Sequence, residues 1–345
     1  MAKKFPFVSI IIVNWNGGEV LEECLKSLSK IIYPNWELIV VDNGSTDGSE
    51  QKAKKLIKSA KLIKNKENVG FALANNQALK GARGKYILLL NNDTKVTPNF
   101  LTPLVLRAEK NPKIAVIQPK ILMMDKTGLL DNAGGFLTKI GFLEHRGFGE
   151  KDSKEFNLET NIFTAKGACM LIRKSMVNQI GLFDTDFVSY FEETDFCWRV
   201  WLMGYKVLYF PKAIIYHKVG FTIKRLDVGN INFHYYKNRI TSLLKNLEVK
   251  NLVIILPLHV IISLGIASAF LLRGQFKSFW MILRAILWNI SNFDKTLTKR
   301  NIIQKNRKVT DKEIFAKFMH PVNWQKFWGD FKRVEADIKT QSSQR

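Results

Sequence analysis

Cysteine is scarce in this chain: Cys24, Cys169 and Cys197 are the three in 345 residues. They are few and odd in number, and they sit inside apolar patterns. That excludes a disulfide scaffold and fits a reducing compartment. Acidic residues are also short, 30 against 53 Lys and Arg, which leaves a net charge of +23. An excess of that size needs a polyanionic neighbour: nucleic acid, anionic lipid or a phosphorylated substrate. A secretory leader is missing from the N-terminus. Lys3 and Lys4 are basic, but the apolar run Val8–Val13 is too short for an h-region followed by a cleavage site. Apolar material is not lacking: 46% hydrophobic residues exclude an intrinsically disordered chain.

The run Val8–Val13 reads as a buried strand. An apolar pattern of helical spacing follows over Glu19–Leu28, then a strand over Glu37–Asp42 and a turn at Asn43–Ser49 that leads into a helix ending near Lys58. Lys61–Ile63 reads as a strand, Gly70–Lys80 as a helix and Lys85–Leu90 as another buried strand, with Pro98 at the start of a helix to about Glu109. This strand–helix alternation predicts βαβ units and a mostly parallel sheet. Ligands in such sheets bind beyond the carboxyl ends of the strands. Three polar clusters fall there: Asn14-Trp15-Asn16-Gly17, Asp42-Asn43-Gly44-Ser45 and Asn91-Asn92-Asp93. Residues 123–159 are glycine-rich and read as loops with short β pieces. Beyond them, Cys169–Ile172 reads as a strand, Lys174–Ile180 as a helix, Phe196–Met203 as a helix, and Lys206–Phe210 and Ala213–His217 as strands.

Composition shifts near residue 235, so the chain divides into residues 1–235 and a helical extension over 236–345. Leu252–Leu272 holds no Asp, Glu, Lys or Arg and is long enough to cross a bilayer; a buried core helix is the plainer alternative. The stretch 276–293 mixes Trp280, Leu287 and Trp288 with Lys277 and Arg284, as interfacial segments do. Lys and Arg flank both segments, and with both flanks cytoplasmic they form a re-entrant or in-plane hairpin. The tail from Lys305 is basic and aromatic, with Phe315, Phe318, Trp324, Phe327, Trp328 and Phe331, and fits an amphipathic helix on anionic lipid.

Candidate chemistry rests on carboxylates. Asp93, at a strand end, can hold a divalent metal that neutralises a diphosphate; Asn-Asn-Asp is also ordinary turn sequence. Asp42 has a similar alternative as a cap for the following helix. Glu192, Glu193 and Asp195 lie between aromatic blocks, where a carboxylate gains basicity and suits a general base; acids at a helix N-terminus are the bland reading. His217 ends an apolar strand and is structural unless an oxygen-ligated metal lies near.

Together, Val8–Gly17, Val41–Asp47, Asn68–Ala72 with Asn76, Leu90–Asp93 with Pro98, Gly181–Asp184 and Tyr190–Arg199 resemble glycosyltransferase family 2 in order and spacing across residues 6–220. The resemblance implies an α/β GT-A fold (Rossmann-like, with a mostly parallel central sheet) carrying a C-terminal α-helical membrane-associating extension. It also implies inverting transfer from a nucleotide-diphosphate sugar with Mg²⁺ or Mn²⁺. The subgroup it most resembles is the bacterial rhamnosyltransferase-like enzymes of surface polysaccharide synthesis. Site residues carry over block by block. Val13, Asn14, Trp15 and Asp42 would line the nucleotide, with Asn68 and Gly70 closing over it. Asn91, Asn92 and Asp93 take the place of the family's Asp-x-Asp, with Asn for the first acid; Asp93 and His217 would hold the metal. Glu193 aligns with the catalytic base, more often Asp, with Glu192 and Asp195 as alternates. Gly167 and Ala168 would flank the acceptor.

The resulting expectation is a glycosyltransferase at the cytoplasmic face of the bacterial inner membrane. It would use dTDP-rhamnose or a UDP-sugar as donor, a polyprenyl-diphosphate-linked glycan as acceptor, anionic lipid as surface and no nucleic acid. Oligomeric state stays open. A sugar nucleotidyltransferase on a related fold is the alternative enzyme. A nucleic-acid binder, suggested by charge alone, and a non-catalytic scaffold rank below it.

Overall fold

A computed structural model describes residues 5–221, 228–325 and 329. Its strands are β1 (Val8–Asn14), β2 (Trp36–Asn43), β3 (Lys61–Asn65), β4 (Tyr86–Leu90), β5 (Thr94–Val96), β6 (Ile114–Met123), β7 (Leu130–Asn132), β8 (Gly135–Thr138), β9 (Leu143–His145), β10 (Thr160–Asn161), β11 (Cys169–Arg173), β12 (Lys206–His217) and β13 (Met319–His320). The helices are α1 (Gly18–Leu28), α2 (Gln51–Leu56), α3 (Phe71–Leu79), α4 (Leu101–Lys110), α5 (Lys174–Ile180), α6 (Glu192–Leu202), α7 (Val228–Asn246), α8 (Val249–Leu272), α9 (Phe276–Ser291), α10 (Phe293–Asn306) and α11 (Asp311–Phe318).

The large sheet runs β10-β12-β6-β11-β4-β1-β2-β3, with β5 on β12 and β7 on β6. Its pairs β3–β2, β2–β1, β1–β4 and β6–β12 are parallel, and β11 is the antiparallel insert between β4 and β6. The expected α/β fold with a mostly parallel central sheet is therefore present. Val8, Ile10, Ile12, Leu38, Val40 and Leu88 are buried because helices cover the sheet, which is why β1, β2 and β4 read as near-continuous apolar runs. β12 is one strand where two were expected. Its pairing with β6 shifts register between Phe210 and Ile214, so Pro211 sits at an irregularity where a missing N–H breaks no regular ladder. β6 was not anticipated: Gln118-Pro119-Lys120 interrupts its apolar run, yet all three are buried there.

The chain divides into two compact units: residues 1–135, 145–219 and 307–309, and residues 136–144, 220–306 and 310–345. This differs from a single cut at 235. α7 already begins at Val228, and residues 136–144, drawn from the glycine-rich stretch, belong to the second unit. The reason is apolar: Ile140 and Phe142 share a core with Tyr236, Ile266, Phe270 and Ile282. In that unit β8 pairs with β13 in parallel, and Asn289 ties α9 to α7 by accepting from Thr241 Oγ1 at 2.8 Å and donating to Lys237 O at 3.1 Å. α11 carries a Thr310–Glu313 capping box. Phe318 is buried, not turned outward as expected for a surface-bound tail helix, whereas Trp324 is exposed; Phe327, Trp328 and Phe331 lie outside the described residues.

Candidate active site

All three polar clusters stand at the carboxyl end of the sheet, where parallel order brings β1, β2 and β4 to the same edge. Asn14 joins them. Its Nδ2 donates to Ser49 Oγ at 2.9 Å, to Ser45 Oγ at 3.2 Å and to Asp42 Oδ1 at 3.4 Å, while its Oδ1 accepts from Asn92 Nδ2 at 2.9 Å. Asn14 is fully buried, so it braces the loops at this edge from beneath. Asp42 is buried and accepts from Ser45 N at 3.3 Å; this is a side-chain turn and not the helix cap of the plainer reading, since α2 begins only at Gln51. Val13 and Trp15 are half-buried beside it.

The Asn68 block closes against the segment that leads to the acids. Asn68 Oδ1 accepts from Asn43 Nδ2 at 2.8 Å and from Gly70 N at 3.0 Å. Gly70 has φ 87°, and a Cβ there would lie 2.6 Å from Val188 Cγ1 and 2.7 Å from the Val188 carbonyl oxygen. Only glycine fits. Asn76 is pinned to the Gly181–Asp184 block, donating to Phe183 O at 2.8 Å and accepting from Phe183 N at 3.2 Å. Val188, Tyr190 and Phe191 have φ of 60°, 71° and 71°. Left-handed backbone in a β-branched and two aromatic residues stores strain, and it sits immediately before the three acids.

These acids occupy the first turn of α6, one turn earlier than the helix was expected to start, and they part company there. Asp195 is fully buried and its Oδ2 accepts from Arg199 Nε at 2.9 Å; Arg199 in turn binds the Ile180, Gly181 and Leu182 carbonyls. Asp195 thus serves the fold, not the reaction edge. Glu192 is buried, with no partner for Oε2 among the described residues; burial, then the neighbouring Glu193, pushes its pKa well up. Glu193 is half-buried and next to Gly167, where a Cβ would meet its Cβ and Cγ at 4.0 Å. Burial raises the Glu193 pKa to about 7, with Lys166 acting in the opposite sense. A carboxylate that titrates near neutrality suits a general base.

Gly167 is at the same edge: β11 runs antiparallel to β4, and Asn91 N donates to Ala168 O at 3.0 Å. Ala168 is buried in the core, so of the two expected acceptor residues only Gly167 faces Glu193. Asn91 is half-buried, with its backbone committed to the sheet edge.

Asp93 and His217 are brought together: Nε2 stands 3.2 Å from Asp93 Oδ1. That oxygen is buried and has no hydrogen-bond partner among the described residues. Two residues were missed in the sequence. Asp131 Oδ2 lies 2.9 Å from His217 Nδ1, and Lys166 Nζ lies 2.6 Å from Asp131 Oδ1. Burial pushes Asp131 up, but Lys166 and His217 outweigh it and hold the acid at about 2. Burial lowers the His217 pKa, but Asp131 at Nδ1 and Asp93 at Nε2 outweigh it and raise it, favouring the protonated ring. A divalent cation held by Asp93 Oδ1 and His217 Nε2 would take the place of the Nε2 proton. Cis ligands of an octahedral ion at about 2.1 Å stand about 3 Å apart, so this oxygen–imidazole pair fits Mg²⁺ or Mn²⁺. No set of three His, Cys, Asp or Glu residues that could hold a metal is present among the described residues.

The glycosyl transferase family 2 profile matches residues 9–181, half of the chain. The chain belongs to this family. It is 25% identical over 218 residues to the poly-β-1,6-N-acetyl-D-glucosamine synthase of Staphylococcus epidermidis, covering 63% of this chain and 51% of the relative. The chain thus spans about half the length of that curated relative. An uncharacterized protein of Sinorhizobium fredii is 28% identical over 224 residues, covering 61% of this chain and 24% of its own length. Among solved structures, GalNAc-T7 with UDP, GalNAc and Mn²⁺ superposes with a TM-score of 0.60 at 16% identity, over 84% of this chain and 58% of that one. TarS 1–349 of S. aureus in complex with UDP-GlcNAc gives 0.59 at 18% identity, over 81% and 79%. These likenesses bear out the GT-A fold; they do not single out the rhamnosyltransferase subgroup.

Proposed function

We propose that the chain transfers a sugar from a nucleoside-diphosphate sugar to an acceptor hydroxyl with inversion, using Glu193 as base. The observation that carries this is Glu193 itself: a half-buried carboxylate poised near neutrality, facing Gly167 at the edge that also bears Asp93 and His217. Asp42 and Trp15 hold the base and ribose, and Gly70 lets the Asn68 loop approach closely. Glu193 takes the hydroxyl proton. The freed oxygen attacks the anomeric carbon from the face opposite the diphosphate, which departs with the bonding pair. Asp93 and His217 would hold a divalent ion, which when bound neutralises the leaving diphosphate. A diphosphate so neutralised needs no proton from the enzyme, so one carboxylate suffices.

UDP-N-acetylhexosamine is the first donor to test, supported by the names of the poly-N-acetylglucosamine synthase and the UDP-GlcNAc-bound TarS; dTDP-rhamnose is the second. The reading extends to a polyprenyl-diphosphate-linked glycan as acceptor, in surface-polysaccharide synthesis at the cytoplasmic face of the bacterial plasma membrane. The +23 charge and the apolar helix α8 support it. The test is a donor screen that measures nucleoside diphosphate release and product anomeric configuration. Glu193→Gln is expected to bind donor and not transfer. Full transfer by that variant would refute the base, retention would refute inversion, and pyrophosphate release would assign the chain to nucleotidyl transfer.

A further inference from the structure

α8 is apolar on its outer face as well as its inner one, where Ile255, Ile266 and Phe270 are buried. A surface helix turns its apolar stripe inward and its polar residues to water. Here His259 and Ser263 point inward and are fully buried, whereas Ile254, Leu258, Ile261, Leu264 and Leu271 form one exposed stripe. α9 continues it: Ser278 and Asn289 are buried, while Phe276, Trp280, Leu287 and Ile290 are exposed. Isolated exposed apolar residues mean little, but an exposed apolar stripe on each of two successive helices marks a surface that is covered in use. Its charge identifies the cover. Lys250, Arg273, Lys277, Arg284 and Lys295 are exposed on or beside the same helices, and Asp294 is the sole acid from Val249 to Asn306.

α8 is the one helix among the described residues long and apolar enough to cross a bilayer, about 36 Å at 1.5 Å per residue. Its attachments oppose that orientation. His259, near its midpoint, has Nδ1 2.9 Å from Ile140 O in the β8–β9 connection, and its ring lies 4.4 Å from Phe142. Phe142 also carries the Arg239 guanidinium at 4.4 Å, on α7, which buries Lys237 and Lys245 as well. A crossing α8 would carry this hairpin and the Arg239 guanidinium to mid-bilayer. A flat α8 leaves them above the headgroups and sinks only the outer stripe.

We infer that α8 and α9 lie in the plane of an anionic lipid surface, with the Ile254–Leu271 stripe in the acyl boundary and the flanking Lys and Arg among the headgroups, so that the chain occupies one leaflet without spanning it. This deepens the membrane part of the proposed function, and its test does not read sugar transfer. The full chain is mixed with sealed phosphatidylcholine vesicles with and without phosphatidylglycerol. Cosedimentation is expected only with phosphatidylglycerol, weakening with salt, together with a blue shift of Trp emission. Ile254→Asp with Ile261→Asp, both at exposed positions, is expected to melt as the parent does and to lose partition more than about tenfold. Because Cys24, Cys169 and Cys197 are buried, Val249→Cys and Leu272→Cys can be labelled alone. Both are expected to react with an impermeant maleimide added outside the vesicles. Equal partition with or without the anionic lipid, unchanged partition of the Asp variant, or protection of one α8 end would overturn the inference. If transfer fails while partition holds, only the catalytic reading falls.

Discussion

Gly70→Ala isolates the contact that supports the bend before Glu193. Gly70 and Gly181 share nearly the same backbone, φ 87° and ψ 163° against φ 69° and ψ 163°. An alanine costs about 1–3 kcal/mol at either position for that conformation alone. The surroundings differ: the added Cβ at Gly181 meets nothing within 4 Å, whereas at Gly70 it meets the Val188 side chain at 2.6 Å and its carbonyl oxygen at 2.7 Å. That oxygen accepts from Ala72 N at 2.9 Å, and Val188 is already at φ 60°, so relief by moving it breaks a hydrogen bond and disturbs a strained segment. Overpacking of this kind costs about 1–3 kcal/mol more. At about 2–4 °C per kcal/mol, Gly70→Ala should melt about 2–12 °C below Gly181→Ala. It should also lose kcat/KM in assays run well below melting, since Val188–Phe191 aims the first turn of α6. The assay is thermal unfolding of the two variants side by side, with transfer kinetics at a temperature where both are folded. Equal melting temperatures would show that Val188 yields freely, and the account of the Asn68 block as a brace for the catalytic turn would be wrong.

The Glu193 carboxyl, raised to about 7 by burial, must be ionised to act, so kcat/KM should climb tenfold per pH unit below about 7 and level off above it; an acid limb near the ordinary carboxylate value refutes the assignment. Its folded value exceeds the unfolded one, so it favours the folded state below about pH 4.5 and loses that advantage as pH rises through 7; Glu193→Gln should flatten that part of the stability–pH curve. Mn²⁺ should raise the melting temperature of the parent but not of Asp93→Asn or His217→Ala, and an undiminished shift in both removes them as ligands. Asp195→Asn leaves Arg199 buried without its anion and should cost about 3–5 kcal/mol, which a melting change of a degree or two would contradict. The buried Cys24, with its thiol pushed up to about 12, should resist thiol reagents until the chain unfolds; stoichiometric labelling of the native protein counts against this.

The sheet was legible because β1, β2 and β4 are covered on both faces and therefore carry unbroken apolar runs at a steady strand–helix pace. β6 was not, because Gln118 and Lys120 satisfy their polar ends in tertiary contacts that no local pattern announces: Gln118 donates to Asn132 at 3.0 Å and Lys120 to Asp152 at 2.6 Å. Asp131 and Lys166 were hidden for a related reason. Each lies in a glycine-containing irregular stretch, and each gains meaning only from His217, 86 residues after Asp131. Residues 136–144 could not be assigned to the helical unit, since membership rests on Ile140 and Phe142 meeting α7–α9 far along the chain. What was written locally was read locally: the Asn-Asn-Asp cluster and the uncharged run Leu252–Leu272 carry their signal within a few turns.

The acidic run at 192–195 shows where sequence reading ends and environment begins. One segment places three carboxylates in a single helical turn, so composition cannot rank them. The i,i+4 spacing of Asp195 and Arg199 already offers one of them a partner, and the fold accepts it, burying both. Glu192 is buried without a partner for Oε2, where the neutral form is favoured. Glu193 is raised by burial and lowered in part by the charge of Lys166, with Gly167 opposite, so its ionisation falls near neutrality. Three carboxylates of ordinary intrinsic acidity are thereby given three different settings by burial and partners alone. The left-handed bend at Val188–Phe191 makes this possible, because it fixes the angle at which the chain enters α6 and so decides which carboxylate meets Gly167. Exchanging Glu192 and Glu193 for Gln in turn should therefore separate their roles: loss of transfer on replacing Glu193, and transfer retained with the near-neutral limb in place on replacing Glu192, which is neutral there and does not raise Glu193. Loss of transfer on replacing Glu192 with the limb unmoved would reverse the assignment.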